Sequence, residues 1–189
     1  MQDLNIHELR GHVRMTYKEF SKIPYDGLGH HLVRGVHVIT PAPSIIHQRI
    51  SAKLFKILSN FVEENSLGEV MYSPIDVKFS DEDGYQPDLL YIEKQRLSII
   101  EKNIINGPPD VIIEIISPGS LKSDRGWKLE MARKYNVKEY WLVDYENKII
   151  EIYTKDTMTK YTKDMVVKSE INELSNLRID TQKLFTFEN

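Results

Sequence analysis

Apolar residues along this chain first repeat with the period of a helix. After Ser44 they recur at intervals of four, four and three residues, the spacing that places side chains on one face of an α-helix. The positions concerned are Ile50, Leu54, Leu58 and Phe61. The pattern predicts a long amphipathic helix from Ser44 to about Glu64. A second amphipathic helix is predicted to run to about Asn136, with Ser123 or Asp124 as its N-cap.

Two other stretches are typical of β-hairpins. Residues 30–39 contain two short apolar runs around Arg34-Gly35, which predicts a tight turn between two strands. Residues 139–156 contain two longer runs that meet at Glu146-Asn147. Each stretch therefore predicts a pair of adjacent antiparallel strands.

Further strands are predicted where β-branched and aromatic residues accumulate between Asp, Gly and Pro. These segments are residues 69–79, 86–94, 108–117 and 159–169. Residues 176–185 predict an edge strand or a short helix, and short helices are also predicted after Thr16 and over residues 96–103. Strands dominate the middle of the chain, with a helix on each side. This order predicts an α/β or mixed α+β fold in which helices cover a central sheet.

The composition is that of an ordinary globular protein. At 189 residues the chain fits one domain, 1–189, with a short N-terminal tail over residues 1–15. No apolar run approaches the roughly 18 residues of a membrane span, and the N-terminus does not have the pattern of a signal peptide. We therefore expect a cytoplasmic protein that does not enter a membrane. With no cysteine in the chain, a metal would have to bind to carboxylates, imidazoles and water.

The charge is unevenly distributed. The formal net charge is -3, which argues mildly against a protein whose whole surface binds nucleic acid. Residues 122–138, however, contain six basic and two acidic residues. Lys122, Arg125 and Lys134 in this segment are candidates for contacts with DNA. A solvated helix face with pairing between residues four apart explains the same charges equally well.

Two predicted strands carry acids in unusual places. Asp88 follows Pro87 at the start of an apolar run, and Glu114 lies inside VIIEII, the most hydrophobic run of the chain. A carboxylate in such a strand is costly unless it is paired, hydrogen-bonded or bound to a metal. If the two strands are neighbours, the two acids converge at one end of the sheet. Two hard oxygen ligands with open positions for water and phosphate suit Mg²⁺ or Mn²⁺.

The second helix supplies a candidate cation. Asp124, Lys128, Ala132 and Tyr135 lie at helical spacing on one stripe. Lys128 is therefore predicted to point along the buried face, within a few Å of Glu114. From there an ammonium group can orient the attacking water and offset the charge of a phosphate.

These residues together resemble the Uma family of restriction endonucleases, which belongs to the PD-(D/E)xK nuclease superfamily. The resemblance is carried by QPDLLYI, PPDVIIEIISPGS and the D-x-x-x-K pattern within SDRGWKLEMARKYNVKEYWLVD. It extends upstream to PAPSIIHQRIS and covers roughly residues 16–187. The resemblance implies a restriction-endonuclease-like fold, with a central mixed sheet flanked by helices.

The resemblance also implies roles for individual residues. Asp88 and Glu114 match the metal-binding acids of the family, and Lys128 matches a lysine that the helix supplies. The usual lysine position of the superfamily falls on Ile116 here. His47 matches a histidine near the start of the long helix. Where many members carry a glutamate before the hairpin glycine, this chain has His31. His47, Asp124 and His31 are therefore accessory candidates.

Each assignment has a structural alternative. Glu114 fits a buried ion pair with Lys128 or Arg125, and Lys128 fits a lysine that extends from the flank of its helix with its charge in water. Asp88 after a proline fits a turn cap, and His47 fits a hydrogen-bonded structural histidine. The remaining candidates are less specific: Asp76 and Asp110 fit turn or strand-edge residues, with Asp110 also a candidate partner of the site, and His30, His31 and His37 are weak evidence for zinc.

Three functions fit these residues. The first is a Mg²⁺-dependent or Mn²⁺-dependent endonuclease that hydrolyses DNA, with Asp88, Glu114 and Lys128 as catalytic residues. The second is a binding or regulatory module that keeps the fold without turnover, and the third is a metal-dependent hydrolase of another phosphorylated substrate. The sequence is compatible with a homodimer and contains neither a P-loop nor a dinucleotide-binding glycine motif.

Overall fold

A six-stranded mixed sheet lies at the centre of the computed structural model, which describes residues 14–24, 26–40, 42–117 and 120–187. From one edge to the other its strands are β11 (Met158–Tyr161), β10 (Ile149–Tyr153), β9 (Glu139–Asp144), β8 (Val111–Ile116), β6 (Leu89–Glu93) and β3 (Gly68–Tyr72). The β8–β9 pair is parallel, and all other neighbours are antiparallel.

Two smaller sheets complete the β structure. The five-stranded sheet has the order β2 (Val36–Thr40), β1 (Gly29–Val33), β5 (Gly84–Tyr85), β4 (Val77–Lys78) and β7 (Ile105–Asn106). Within it only the β4–β7 pair is parallel. The third sheet pairs β12 (Val166–Val167) with β13 (Ile179–Asp180).

The helices are α1 (Tyr17–Phe20), α2 (Ile45–Glu64), α3 (Leu121–Ser123), α4 (Leu129–Lys134) and α5 (Thr181–Phe185). A π turn over Asp124–Lys128 joins α3 to α4, and 3₁₀ turns cover Lys94–Ile99 and Asn172–Leu174. No helix in the described part of the chain has the length and apolar character needed to cross a membrane.

The central sheet is buried on both faces because its strands alternate between two hydrophobic cores. On one face, Ile113 and Ile115 pack with the apolar stripe of α2. On the other, Ile112 and Ile116 pack with residues of α4 and of the smaller five-stranded sheet. The predicted arrangement, a mixed α+β fold with helices over a central sheet, is confirmed.

Several local predictions are also confirmed. Helix α2 begins after Ser44, whose hydroxyl accepts a hydrogen bond from the His47 N–H, and it ends at Glu64. The turn at Arg34-Gly35 has positive φ at both residues, 50° and 78°, as a tight hairpin requires. The hairpin of residues 139–156 forms as β9 and β10.

Other predictions need correction. The helix of residues 121–134 begins before Ser123, so neither Ser123 nor Asp124 caps it, and Asp124 is buried inside the π turn. The predicted strand of residues 69–79 divides into β3 and β4, which belong to different sheets. Residues 159–169 divide similarly between β11 and β12, and the helix predicted over 96–103 is a 3₁₀ turn that begins two residues earlier. Most of the predicted N-terminal tail, residues 1–13, lies outside the described residues.

Candidate active site

Asp88 and Glu114 lie side by side at one end of the central sheet. Strand β6 pairs with β8 so that Leu89 faces Ile113. Continuing this register by one residue places Asp88 opposite Glu114. Residues that face each other in an antiparallel pair project from the same side of the sheet. The register therefore brings the two acids together, as the sequence pattern predicts.

Asp88 is held from two sides through one carboxylate oxygen. The Ile115 N–H donates a hydrogen bond to Asp88 Oδ2 over 2.7 Å, and His47 Nε2 lies 3.0 Å from the same oxygen. His47 reaches Asp88 from the first turn of α2, and the buried Nδ1 of its ring has no hydrogen-bond partner among the described residues. The Asp88 side chain is 20% exposed. Since both described side-chain contacts of Asp88 use Oδ2, Oδ1 is the oxygen available to a ligand.

Glu114 is buried in its apolar strand and paired with Lys128. The Lys128 Nζ lies 2.7 Å from Glu114 Oε2, which confirms the predicted proximity. It also lies 2.8 Å from Asp124 Oδ1, an ion-pair contact without hydrogen-bond alignment. The Glu114 and Asp124 side chains are 1% exposed and that of Lys128 is 8% exposed. Within the described residues, Glu114 Oε1 and Asp124 Oδ2 have no hydrogen-bond partner, a state that costs roughly 1–3 kcal/mol or more per group.

Helical spacing explains why Asp124 and Lys128 both face the sheet, because residues four apart lie on one side of a helix. Gly126, between these two residues, has φ -101° and ψ -113°, outside the helical region, so the chain is kinked there before α4 begins. Asp124, Trp127 and Lys128 are all buried. The Tyr140 hydroxyl donates a hydrogen bond to the Asp124 carbonyl oxygen over 2.9 Å and fixes the turn to β9.

Burial and charge act together on this cluster. Burial raises the pKa of Glu114 well above its usual value; Lys128 opposes this shift, and the charges of Asp88 and Asp124 add to it. For Lys128, burial acts to lower the pKa, but Asp124 and Glu114 outweigh that effect and the pKa is raised. Lys128 is therefore an ammonium ion at neutral pH, among three carboxyl groups. A cluster with one ammonium group for three carboxyl groups is typical of a site that retains a proton or binds a cation.

Tyr85 is a member of this cluster that sequence reasoning missed. Its ring stacks on Phe79 and meets Trp127 edge to face, and Lys128 Nζ lies 5.6 Å from the ring centroid. Its hydroxyl is buried and has no aligned hydrogen-bond partner among the described residues. Burial and the nearby Glu114 raise the pKa of Tyr85 well above its usual value, so the phenol stays protonated. The one available signal in the sequence was its position three residues before Asp88.

Most of the chain matches a known family. The family model "Uma2: Putative restriction endonuclease" matches residues 17–180. The chain belongs to the Uma2 family. Its structure is similar to that of a putative nuclease belonging to DUF820 from Anabaena variabilis, with a TM-score of 0.79 and 20% identity over 90% of this chain and 97% of that chain. No curated protein matches. The fold is restriction-endonuclease-like, and family membership supports a nuclease function.

In this Uma2 chain Ile116, the position where the sequence resemblance leads one to expect a lysine, is part of the hydrophobic core. Ile116 and Glu114 point to the same side of β8 because they are two residues apart. The ammonium group next to Glu114 instead comes from Lys128, fourteen residues along the chain. The helix therefore provides the cation that the strand lacks.

His31 lies beside the cluster, whereas His30 and His37 lie apart from it. The His31 ring packs against Trp127 and Tyr85, and its Nε2 is 3.0 Å from Thr40 Oγ1. Burial, and next the charge of Lys128, hold the pKa of His31 well below its usual value. His31 is therefore neutral where the family resemblance implies a glutamate in many members.

The other two histidines form a pair of their own. His30 Nδ1 lies 2.8 Å from His37 Nε2, and His30 Nε2 lies 2.9 Å from Asp26 Oδ1. Their nitrogens are engaged with each other and with Asp26 rather than with His31. The three histidines therefore do not form one zinc site.

The basic residues of the helix segment are partly neutralised by acids on other elements. Arg125 Nη1 lies 2.5 Å from Glu151 Oε2 on β10, and Lys134 Nζ lies 2.6 Å from Asp83 Oδ2. Lys122 is exposed on α3. The partners of Arg125 and Lys134 are thus distant in sequence, not four residues away on the same helix.

Asp110 belongs to a different cluster. Its buried carboxylate lies 2.7 Å from Arg96 Nη1 and 3.0 Å from Lys138 Nζ, and it accepts a hydrogen bond from the Glu93 N–H. These contacts lie at the start of β8, away from Glu114. Asp110 is therefore a strand-edge residue, and the hypothesis that it partners the active site is wrong. Asp76 accepts a hydrogen bond from Gln86 Nε2 over 2.9 Å.

The residues present fit a hard divalent cation that keeps several water ligands. Among the described residues no group of three or more His, Asp or Glu side chains is arranged around one point as a metal site. Asp88 Oδ1 and the unsatisfied Glu114 Oε1 nevertheless offer two carboxylate oxygens at the same end of the sheet. Mg²⁺ is commonly held by one or two carboxylates and water, so this donor set suits Mg²⁺ or Mn²⁺ better than zinc.

Proposed function

We propose that this Uma2 protein is a metal-dependent endonuclease that hydrolyses phosphodiester bonds in DNA. The observation that carries the proposal is the convergence of Asp88 and Glu114 at one end of the sheet, with the Lys128 ammonium 2.7 Å from Glu114. Two acids and a cation in this relation supply what phosphodiester hydrolysis needs, which is a place for a metal and a positive charge near the reacting phosphate.

Asp88 and Glu114 would hold the metal ion, Mg²⁺ or Mn²⁺. When bound, such an ion lowers the pKa of a water ligand and polarises a phosphate oxygen. His47 holds Asp88 in place from α2, and the Ile115 N–H keeps the same carboxylate oriented. Both contacts use Oδ2 and leave Asp88 Oδ1 for a cation.

Lys128 would stabilise the negative charge that develops on the phosphate. Its ammonium is already desolvated and fixed by Glu114 and Asp124, so it needs little reorganisation during the reaction. Asp124 would act on Lys128 rather than on the substrate, and neutral His31 would line the same side of the cleft. Lys122, Arg125 and Lys134 would contact the DNA backbone near the cleft.

The test is incubation of the purified protein with supercoiled plasmid and Mg²⁺ or Mn²⁺. We expect nicked and linear DNA with either metal, and no cleavage with EDTA or with Glu114→Ala. Lys163→Ala, at an exposed lysine outside the site, is the matched control and should cleave like the wild type. If two copies of the chain act together as a homodimer, linear DNA should appear early, because both strands are cut in one encounter. Intact plasmid with both metals would refute the proposal.

A binding module without turnover is the second candidate, and the burial of the cluster favours it. Glu114 and Asp124 are 1% exposed, and the direct ion pair of Glu114 with Lys128 is also what a purely structural pair would form. This candidate predicts metal-independent retention of plasmid DNA in a gel-shift assay, with no cleavage. It also predicts that Glu114→Ala binds DNA as well as the wild type does.

A further inference from the structure

A cavity lies outside the proposed active site, between α4 and the hairpin of β9 and β10. It has a volume of about 300 Å³, and none of the catalytic candidates lines it. That volume is at the lower end of the roughly 300–1,000 Å³ typical of small-molecule sites. The cavity therefore suits a ligand of the size of one nucleotide, not a nucleic-acid duplex.

The floor of this cavity is apolar and its rim is basic. The floor consists of four buried side chains: Leu129, Ala132, Val137 and Tyr140. Arg133, Lys138 and Lys155 stand at the rim, and no acidic side chain lines the cavity. The charge of Lys138 is offset by Glu93 and Asp110. Arg133 and Lys155 have no ion-pair partner in the part of the chain that the structure describes, so their charge is available to an anion.

One wall of the cavity provides a surface for stacking. The Arg133 guanidinium lies over the Tyr153 ring, with 5.7 Å between Cζ and the ring centroid. Nucleobases stack on aromatic rings and on guanidinium planes alike. The exposed Asn136 amide, also at the rim, can donate to and accept from the edge of a base. An apolar floor, a stacking wall and two uncompensated cations match the two halves of a nucleoside phosphate.

We propose that this cavity binds a nucleoside monophosphate unit, with the base against the wall that Arg133 and Tyr153 form and the phosphate near Lys155 and the edge of the Arg133 guanidinium. The unit has two sources, a free nucleotide or one nucleotide of a single strand. The second source rests on the proposed function, because it takes a nucleic acid as the substrate. The first does not depend on it.

The test is calorimetric titration in EDTA, so that no metal-dependent cleavage contributes. One arm uses the four free deoxynucleoside monophosphates, and the other uses short single-stranded oligonucleotides of the same bases. The variants are Arg133→Ala with Lys155→Ala, and the single change Arg133→Lys, which keeps the charge but loses the planar stack. Lys163→Ala controls for the loss of an exposed lysine.

We expect saturable binding in at least one arm, with inorganic phosphate or the nucleoside alone binding more weakly than the nucleotide. The double variant should bind at least about tenfold more weakly, the scale for losing charge-assisted contacts, and Arg133→Lys should fall between it and the wild type. Lys163→Ala should bind like the wild type. Binding in the free-nucleotide arm identifies a mononucleotide as sufficient, and binding in the oligonucleotide arm alone identifies a strand.

Three results would overturn this inference: no saturable binding in either arm, equal binding by the double variant, or an equal loss of binding in Lys163→Ala. The plasmid assay is independent of all three. Failure of cleavage with retained nucleotide binding would remove the proposed function and leave the second site in place.

Discussion

Replacing Lys128 with alanine removes the ammonium that pairs with both Glu114 and Asp124. The two carboxylates are 1% exposed, so neither can regain water without a structural change. The variant must therefore bury unpaired negative charge, open the π turn or bind additional protons. Each of these costs free energy relative to the wild type.

The expected loss follows from the geometry of the pair. Breaking a buried ion pair by removing one partner costs about 3–5 kcal/mol, compared with a total stability of about 5–15 kcal/mol for a typical domain. Lys128 pairs with two acids, and its own side chain is 8% exposed, so solvent does little to screen the loss. We therefore expect Lys128→Ala to lower the free energy of unfolding by about 3–5 kcal/mol at pH 8.

The loss should shrink as the pH falls. The pKa of Glu114 is raised in the folded chain, first by burial, so the folded state holds a proton more tightly than the unfolded state does. Stability from that proton is fully present below the unfolded value of about 4.3 and is lost as the pH rises through the folded pKa. Without Lys128 the folded pKa rises further. Over the affected range each additional proton changes stability by about 1.4 kcal/mol per pH unit.

The measurement is urea unfolding of the wild type and Lys128→Ala at pH 5, 6, 7 and 8, followed by far-UV circular dichroism. Lys163→Ala serves as the matched control and should unfold like the wild type at every pH. An equal free energy of unfolding for Lys128→Ala and the wild type at pH 8 would refute the reasoning. A deficit that does not decrease toward pH 5 would show that the carboxylates of the cluster are not its cause.

Four further outcomes are expected. In the plasmid assay Lys128→Ala should lower cleavage by roughly 10²-fold or more, while Mn²⁺ binding, measured by calorimetry, persists. Lys122→Ala should lower only the salt-dependent affinity for DNA, measured by fluorescence anisotropy. Asp88→Asn should abolish both cleavage and Mn²⁺ binding, because an amide is a poor ligand for a hard cation in place of a carboxylate. Asp83→Ala should lower the free energy of unfolding by about 1–3 kcal/mol in thermal melts, since it leaves the Arg34 N–H without its acceptor.

Elements that depend on local pattern were predictable from the sequence. Helix α2 has an N-cap at Ser44 and a continuous apolar stripe, and the hairpin turn at Arg34-Gly35 contains the residue that best tolerates positive φ. Strand partners are not local information. Pro74 lacks the N–H that a ladder needs, so residues 69–79 break into strands of two sheets. Strands of two residues, such as β5, are too short to show the alternation of apolar and polar residues by which a strand is predicted.

The site was partly predictable for a similar reason. Glu114 is conspicuous because a charge in an apolar run must be compensated, and Lys128 follows from its place on the inward stripe. The prediction that Asp124 is a helix N-cap was wrong. Aspartate favours N-caps, but here the ion pair with Lys128 stabilises the Asp124 side chain inside the core. No periodic pattern in the sequence predicts that Tyr85 is buried in the site, because its burial depends on contacts with Phe79 and Trp127 from other segments of the chain.

Because the Ile115 N–H donates a hydrogen bond to Asp88, the exchange of this one backbone hydrogen reports on the position of a proposed active-site carboxylate. That amide can exchange its hydrogen for deuterium only when the bond opens, so its exchange rate measures how often the carboxylate leaves its position. Ile115 lies within β8, but its N–H bonds to a side chain that lies just before the first residue of β6, so exchange needs only this contact to open. An ion that immobilises Asp88 slows this one amide further. The integrity of the site can therefore be followed in solution at a single residue, with neither substrate nor turnover.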